Sequence, residues 1–282
     1  MSTHHLIEDP SPRHTSADAG PMRALMRLMG VNTPPTYRVD EACPLVLCHV
    51  RQDAPLMHEG APVHTLYVVR TGSLKTVKTL VDGYEQLLSL ALPGDLLGFE
   101  ALYQGTLPAS AIALEDSTVF ALPVNRLQEM RQNHPLLDYA IHRTLSRQLV
   151  HASEAAELMA AVASDVRLAR FLLWMSARMV ELGQSPRRLL LRLSRRDIAS
   201  LLGIAHETVS RAFSSLADDG CIKVDNREVE LLDIGRLTAR AGSTRGVSAE
   251  ARPRARTAHD HNGVDVPSTW FGADRWPDGE TS

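Results

Sequence analysis

The stretch from Ser194 to Leu216 constrains the fold more than any other, because it reads as two short helices joined by a very tight turn. Ser194-Arg195-Arg196-Asp197 is a variant of the capping box. The Ser side chain caps the first helix, and Asp197 sits near the amides of its first turn. That helix is predicted to run to Leu202, where Gly203 supplies the positive φ that a tight connection demands. A second helix is predicted from about His206 to Leu216. Ala199 is small enough to let the helices cross closely, and Ile198, Leu202, Ile204, Val209 and Phe213 fall where they can share one core.

With those positions turned inward, the first turns of the second helix present His206, Glu207, Ser210 and Arg211. These are side chains that read bases: Glu accepts from cytosine N4, Arg donates two bonds to guanine O6 and N7, and Ser bonds either partner. Downstream, Cys221 to Leu232 alternates in period two about Asp225-Asn226-Arg227, the pattern of a hairpin or wing. Arg187, Arg188, Arg192, Arg195 and Arg196 crowd together with no acid until Asp197, although the net charge of the chain is −3. The basic character is therefore local, as phosphate binding requires. Arg195, Arg196, Thr208 and Lys223 suit phosphate contacts, and the implied partner is double-stranded DNA.

Upstream, short β-rich runs alternate with glycine turns: Leu45–Val50, Thr65–Arg70, Leu74–Thr79, Gln86–Ala91 and Thr118–Ala121. Such spacing indicates an antiparallel barrel or roll. From His134 to Met159 there is no Gly, and Ile141, Leu145, Leu149, Ala152, Ala156 and Met159 recur in steps of three and four. That stripe marks one face of a long helix, which could lie on the roll or pair with its copy in a second subunit. The small Ala152 and Ala156 favour close helix approach and hence a homodimer. The expected class is α+β, with a flexible tail over residues 1–35 and a β-roll sensor over 36–130. The dimerisation helix then takes 131–163, a winged helix-turn-helix 164–236 and a disordered tail 237–282. A short helix is expected at Met22–Met29, and Trp270 and Trp276 stand isolated in the second tail.

No apolar run approaches the roughly 20 residues that span a bilayer, so no membrane partner is expected. The first thirty residues lack the basic start and apolar core of a signal peptide, which predicts a cytoplasmic protein. No nucleotide-binding glycine loop, catalytic triad or metal-ligand spacing supports an enzyme. The rival reading is a redox- or ligand-sensing module acting mainly through a protein partner. It would leave the base-reading side chains without a task.

The ordered combination of Leu66-Tyr-Val-Val-Arg-Thr-Gly72, Gly94-Asp-Leu-Leu-Gly-Phe-Glu100 and Leu202-Gly-Ile-Ala-His-Glu-Thr-Val-Ser-Arg211 resembles the CRP/FNR family of bacterial transcription regulators. The resemblance spans about Pro55 to Leu232. It implies a cyclic-nucleotide-binding-like β-roll, a long dimerisation helix and a C-terminal winged helix. It also implies an activator that works with RNA polymerase at a palindrome. Glu207, Ser210 and Arg211 match the FNR-like branch, implying a site of the TTGAT-N4-ATCAA type, while His206 departs from what either main branch carries.

The resemblance does not extend to the known sensors. Where cyclic-nucleotide binders carry a ribose-binding Glu this chain has Phe99, and Leu107-Pro-Ala-Ser-Ala111 lacks the Arg that would meet the phosphate. Relatives with an iron–sulfur cluster use four thiolates; here Cys43 and Cys48 are the candidates and the fourth position is Phe120. Cys43 and Cys48 are read as buried structural residues, with a redox-responsive pair as the alternative. Haem remains open, with His49, His58, His64, His142 and His151 as conceivable ligands in no diagnostic setting. The effector is unknown at this point.

Overall fold

Short strands bounded by glycine turns fold into the expected roll. The computed structural model describes residues 20–34, 36–37, 45–161 and 163–242, and the candidates Cys43, Trp270 and Trp276 lie outside them. Helix α1 (Pro21–Leu28) precedes strands β1 (Val46–Val50), β2 (Pro55–Met57), β3 (Thr65–Thr71), β4 (Leu74–Thr79), β5 (Glu85–Ala91) and β6 (Leu96–Leu97). A short α2 (Ala101–Gln104), β7 (Ser110–Ala113) and β8 (Ser117–Pro123) complete the roll. Two antiparallel sheets result, in the orders β1-β8-β3-β6 and β2-β7-β4-β5. Val69, Leu74, Leu97, Leu107, Ala111 and Val119 fill the space inside the roll.

A second cluster joins the roll to helices. Leu66, Val68, Phe120 and Leu122 pack with α1, with α3 (Val124–Asn133) and with the start of α4 (Pro135–Met159). Residues 21–34 are therefore not the flexible tail expected from their composition. Met22, Leu25, Met26 and Met29 recur in steps of three and four, and all four are buried. Gly94 lies at φ +90°, and a Cβ there would come within 2.5 Å of the Leu28 carbonyl oxygen, so the end of α1 closes directly on this turn.

The apolar stripe on α4 divides. Ile141 is buried against the roll and Leu145 packs on the same cluster, which takes both from the set expected to face a second subunit. From Leu149, which is 70% exposed, through Ala152, Ala156 and Met159, the stripe is open. The helix runs past the end of the surface that covers its first half.

The remaining elements form the winged helix: α5 (Ser164–Glu181), β9 (Arg188–Leu190), α6 (Arg195–Leu202), α7 (His206–Asp218), β10 (Ile222–Asp225) and β11 (Glu228–Leu231). A further helix, α8 (Ile234–Gly242), buries Leu237 and Ala241, so ordered structure continues beyond the boundary expected at residue 236. Phe171 and Leu172 of α5 sit at the centre of this unit beside Leu202, Val209 and Leu216.

Asp95, in the turn before β6, ties these parts together. It is buried, accepts from its neighbour Leu92 N and receives Arg178 Nη2 of α5 at 2.6 Å. Arg147 of α4 lies 3.5 Å from its other oxygen and donates to the Gly94 carbonyl at 2.8 Å. Arg178 also donates to His151 of α4 and to Glu181. Burial pushes the Glu181 carboxyl upward, but the bond from His151 and the neighbouring cations outweigh it and hold the group below its ordinary range. Removing one member of a buried pair leaves the other charge stranded, so Asp95→Ala should cost roughly 3–5 kcal/mol. A urea titration of the full chain would read the loss, whereas Glu181→Gln, at the exposed rim, should cost under about 1 kcal/mol.

Candidate nucleic-acid interface

Local chemistry sets the two helices before any packing does. Ser194 Oγ accepts from the Asp197 amide at 3.0 Å, and Asp197 Oδ2 accepts from the Ser194 amide at 3.0 Å, the reciprocal capping box read from the sequence. Gly203 takes φ +60° and lets α7 turn away. Ile198, Leu202, Val209 and Phe213 then bury one joint core, with Ile204 packed against it. Because Val209, Ala212, Phe213 and Leu216 face inward, helical period leaves His206, Glu207, Ser210 and Arg211 outward, and all four are exposed. No side chain caps the start of α7, so its first amides are free to face an anion.

A shallow groove runs along this exposed side, lined by Ser210, Arg211, Ser214, Ser215, Asp218 and Asp219. Ser214 belongs to the outward row as well and was not singled out from the sequence. It lies three residues past Arg211, and its hydroxyl donates to the Ser210 carbonyl at 3.3 Å. Helical spacing alone would have found it. The acidic Asp218 and Asp219 close the far end of the groove, confining its positive character to the first two turns.

The four residues expected to meet phosphates separate. Arg196 and Lys223 are exposed, and Thr208 is half-buried in the first turn of α7. Arg195 is occupied elsewhere: its guanidinium lies over the Phe213 ring, 3.4 Å from the centroid, and burial lowers its pKa. It fastens the start of α6 to the middle of α7. The neighbouring arginines are likewise engaged, Arg187 with the Leu231 and Leu232 carbonyls and Arg192 with Glu115 at 2.9 Å. The wing forms as expected, β10 and β11 pairing through Asp225 and Glu228 with Asn226 at φ +53° in the turn.

Asp197 has a second task. Lys75 of β4 reaches it at 2.7 Å, so the cap of α6 is also an ion pair with the roll. Burial pushes the carboxyl upward, yet the bonds from Lys75 and Ser194 outweigh it and hold the pKa below the ordinary carboxylate value.

A β-roll followed by a long helix and an exposed winged-helix face defines a two-domain DNA-binding regulator. Comparison with known proteins agrees: residues 166–240 match the Crp-like helix-turn-helix domain, and residues 47–134 match the cyclic nucleotide-binding domain. The transcriptional activator protein Anr of Pseudomonas aeruginosa is 36% identical over 187 residues, 66% of this chain and 77% of Anr. The fumarate and nitrate reduction regulatory protein of Salmonella typhimurium is 31% identical over 199 residues, 71% of this chain and 80% of that protein. Among solved structures, FixK2 from Bradyrhizobium japonicum aligns with a TM-score of 0.61 at 28% identity, over 73% of this chain and all of FixK2. The chain belongs to the CRP/FNR family of transcription regulators.

The cofactors of that family do not fit the roll. Phe99 packs on the outer cluster, and Leu107, Ala109 and Ala111 are buried apolar residues where a cyclic phosphate would need a cation. For a four-thiolate cluster, the fourth position is the buried Phe120, and Cys48 is a half-buried residue of β1. His151, one of the conceivable haem ligands, is engaged by Arg178 and Glu181, whereas His49, His58, His64 and His142 are exposed. No helix among the described residues is long and apolar enough to cross a membrane.

The turn supplies a direct test of this geometry. A Cβ on Gly203 would meet Arg167 Nη1 at 3.6 Å and Met159 Sδ at 3.9 Å, ordinary contacts, so a substitution is penalised by backbone alone. Gly203→Ala should cost about 1–2 kcal/mol and Gly203→Asn less, because Asn tolerates the left-handed region. Urea midpoints should shift in that order with unchanged slope.

Proposed function

We propose that this regulator binds as a homodimer to an FNR-like palindrome of the TTGAT-N4-ATCAA type and activates transcription there together with RNA polymerase. The observation that carries the reading is the exposed row His206, Glu207, Ser210 and Arg211, set on α7 by a core that holds its opposite face. In this reading Arg211 meets guanine, Glu207 meets cytosine N4, Ser210 adjusts to either, and His206 sets a preference at one further base. Arg196, Thr208 and Lys223 meet phosphates and fix register without reading sequence. The activating role is supported by the relatives that bear that description in their names.

Dimerisation is assigned to the open half of α4, where Leu149, Ala152, Ala156 and Met159 form an apolar strip with small residues at its middle. Two recognition helices would then face one side of DNA about one turn apart. The signal is assigned neither to a cyclic nucleotide nor to a four-thiolate cluster, since the residues that would hold them are replaced. The absorption spectrum of the purified chain, with metal analysis, taken without and then with oxygen, distinguishes haem, cluster or neither.

Fluorescence anisotropy on the palindrome tests the base readers. Arg211→Ala should lose roughly 1–3 kcal/mol of discrimination at its guanine, while Lys223→Ala should weaken all sequences alike and lower the salt slope by about one. Equal losses of Arg211→Ala on scrambled DNA would remove the base-reading role. Leu149→Glu, which spares the roll core, should give monomers by analytical ultracentrifugation and abolish selective binding. A dimeric Leu149→Glu would move the interface elsewhere.

A further inference from the structure

The roll and the winged helix meet through a patch built on one face of a sheet. Strand β5 is an edge of the β2-β7-β4-β5 sheet, and edge strands present amides with no neighbouring strand to receive them. The Leu87 amide is instead received by Ser200 Oγ of α6 at 2.9 Å. Leu87 and Leu90 are three residues apart, which in a regular strand puts side chains on opposite faces. Here the pairing with β4 shifts by one residue, Thr76 opposing Ser89 but Val77 opposing Leu87, so Leu88 is the extra residue of a bulge. A bulge re-aims the side chains around it. Leu87 and Leu90 consequently enter the same apolar cluster as Leu201, Leu202 and Val209, with Leu92 and Leu114 beside them.

Two ion pairs border this contact. Lys75 joins Asp197 at 2.7 Å, with both side chains less than one-fifth exposed. Glu115, which accepts from Ser73 Oγ at 2.8 Å, receives Arg192 at 2.9 Å. The contacts fall on α6 and the segment just before it, not on the outward row of α7, which remains exposed.

We propose that this patch positions the recognition helix, and that Lys75, a roll residue outside the DNA-reading face, is a positioning residue for DNA binding that sets which half-site spacing the protein accepts. The proposal rests on the dimeric DNA-binding reading above. Helix α6 is joined to α7 by their shared core and by the stack of Arg195 on Phe213, so holding α6 holds α7. In a dimer, the distance between recognition helices depends on the angle each winged helix makes with its own roll. A winged helix free to swing occupies the binding angle part of the time, and its apparent affinity falls by that fraction. The same patch gives a change in β4 or β5 a direct path to α6, separate from α4.

Lys75→Met keeps the side-chain length and removes the charge, while Lys75→Arg keeps the charge. In the DNA-free full chain, hydrogen exchange should quicken at the Leu87 amide and through α6 in Lys75→Met, with Lys75→Arg near wild type. Binding to palindromes with spacers of three, four and five base pairs, over a salt series, provides the second readout. Lys75→Met should lose about tenfold at the preferred spacer and little at the others, flattening the preference with the salt slope unchanged. A uniform loss with the slope lowered by about one would make Lys75 a phosphate contact and overturn the proposal. Unchanged exchange at Leu87 and α6 would overturn it as well. If the wild type selects no palindrome, the DNA-reading assignment fails and the positioning role with it, and exchange then reports only whether Lys75 holds the contact.

Discussion

A carboxylate buried among apolar groups must be neutralised, and at Asp95 that requirement joins three parts of the chain. The turn that carries Asp95 belongs to the roll, Arg147 comes from the long helix, and Arg178 comes from the first helix of the winged unit. None of these charges can leave its place without stranding another. Compared with an apolar replacement, such a cluster adds little stability, but it tolerates few geometries. Apolar packing between β5 and α6 would accept small slides. The guanidinium on Asp95 does not, and it therefore sets where α5 begins relative to the roll.

Much of this architecture was legible in the sequence, for reasons that can be named. The capping box and Gly203 are local devices whose meaning needs no tertiary context, and α6 and α7 fall within two residues of their expected ends. Strands β1, β3, β4, β5 and β8 each have enough apolar residues between turns to be read. Strands β2 and β6 have three and two residues, too few for any period to register. The bulge at Leu88 could not be foreseen, because Leu87-Leu88-Ser89-Leu90 fits either face until a partner strand fixes the pairing. Helix α8 escaped notice because Ile234, Leu237 and Ala241 offer only three apolar positions among Gly, Arg and Thr.

The residues hardest to read were those with two possible partners. Arg195 has the charge and position of a phosphate contact, yet its nearest partner is the face of Phe213. Ile141 and Leu149 stand on one stripe with the same spacing, yet the roll covers the first and ends before the second. Asp197 is a cap by local pattern and an ion pair by tertiary contact. In each case spacing gave the direction of the side chain correctly. What it could not give was the neighbour, which arrives from a distant part of the chain.

These double roles bear on how a roll without its relatives' ligand residues can still govern DNA binding. The interior is closed by Leu97, Leu107, Ala111 and Val119, so a signal there would have to be felt as a movement of strands. Strands β4 and β5 are the ones that touch the winged helix, through Lys75, Leu87 and Leu90. Packed interfaces of this kind switch between discrete arrangements more readily than they deform. A shift that frees Leu87 from Ser200 would expose an edge amide and unpair Lys75 together, two costs that rise at the same step. Coupling of that sort makes the docked state all-or-none, which is the property a regulator needs and which α4, a single long helix bending gradually, does not supply by itself.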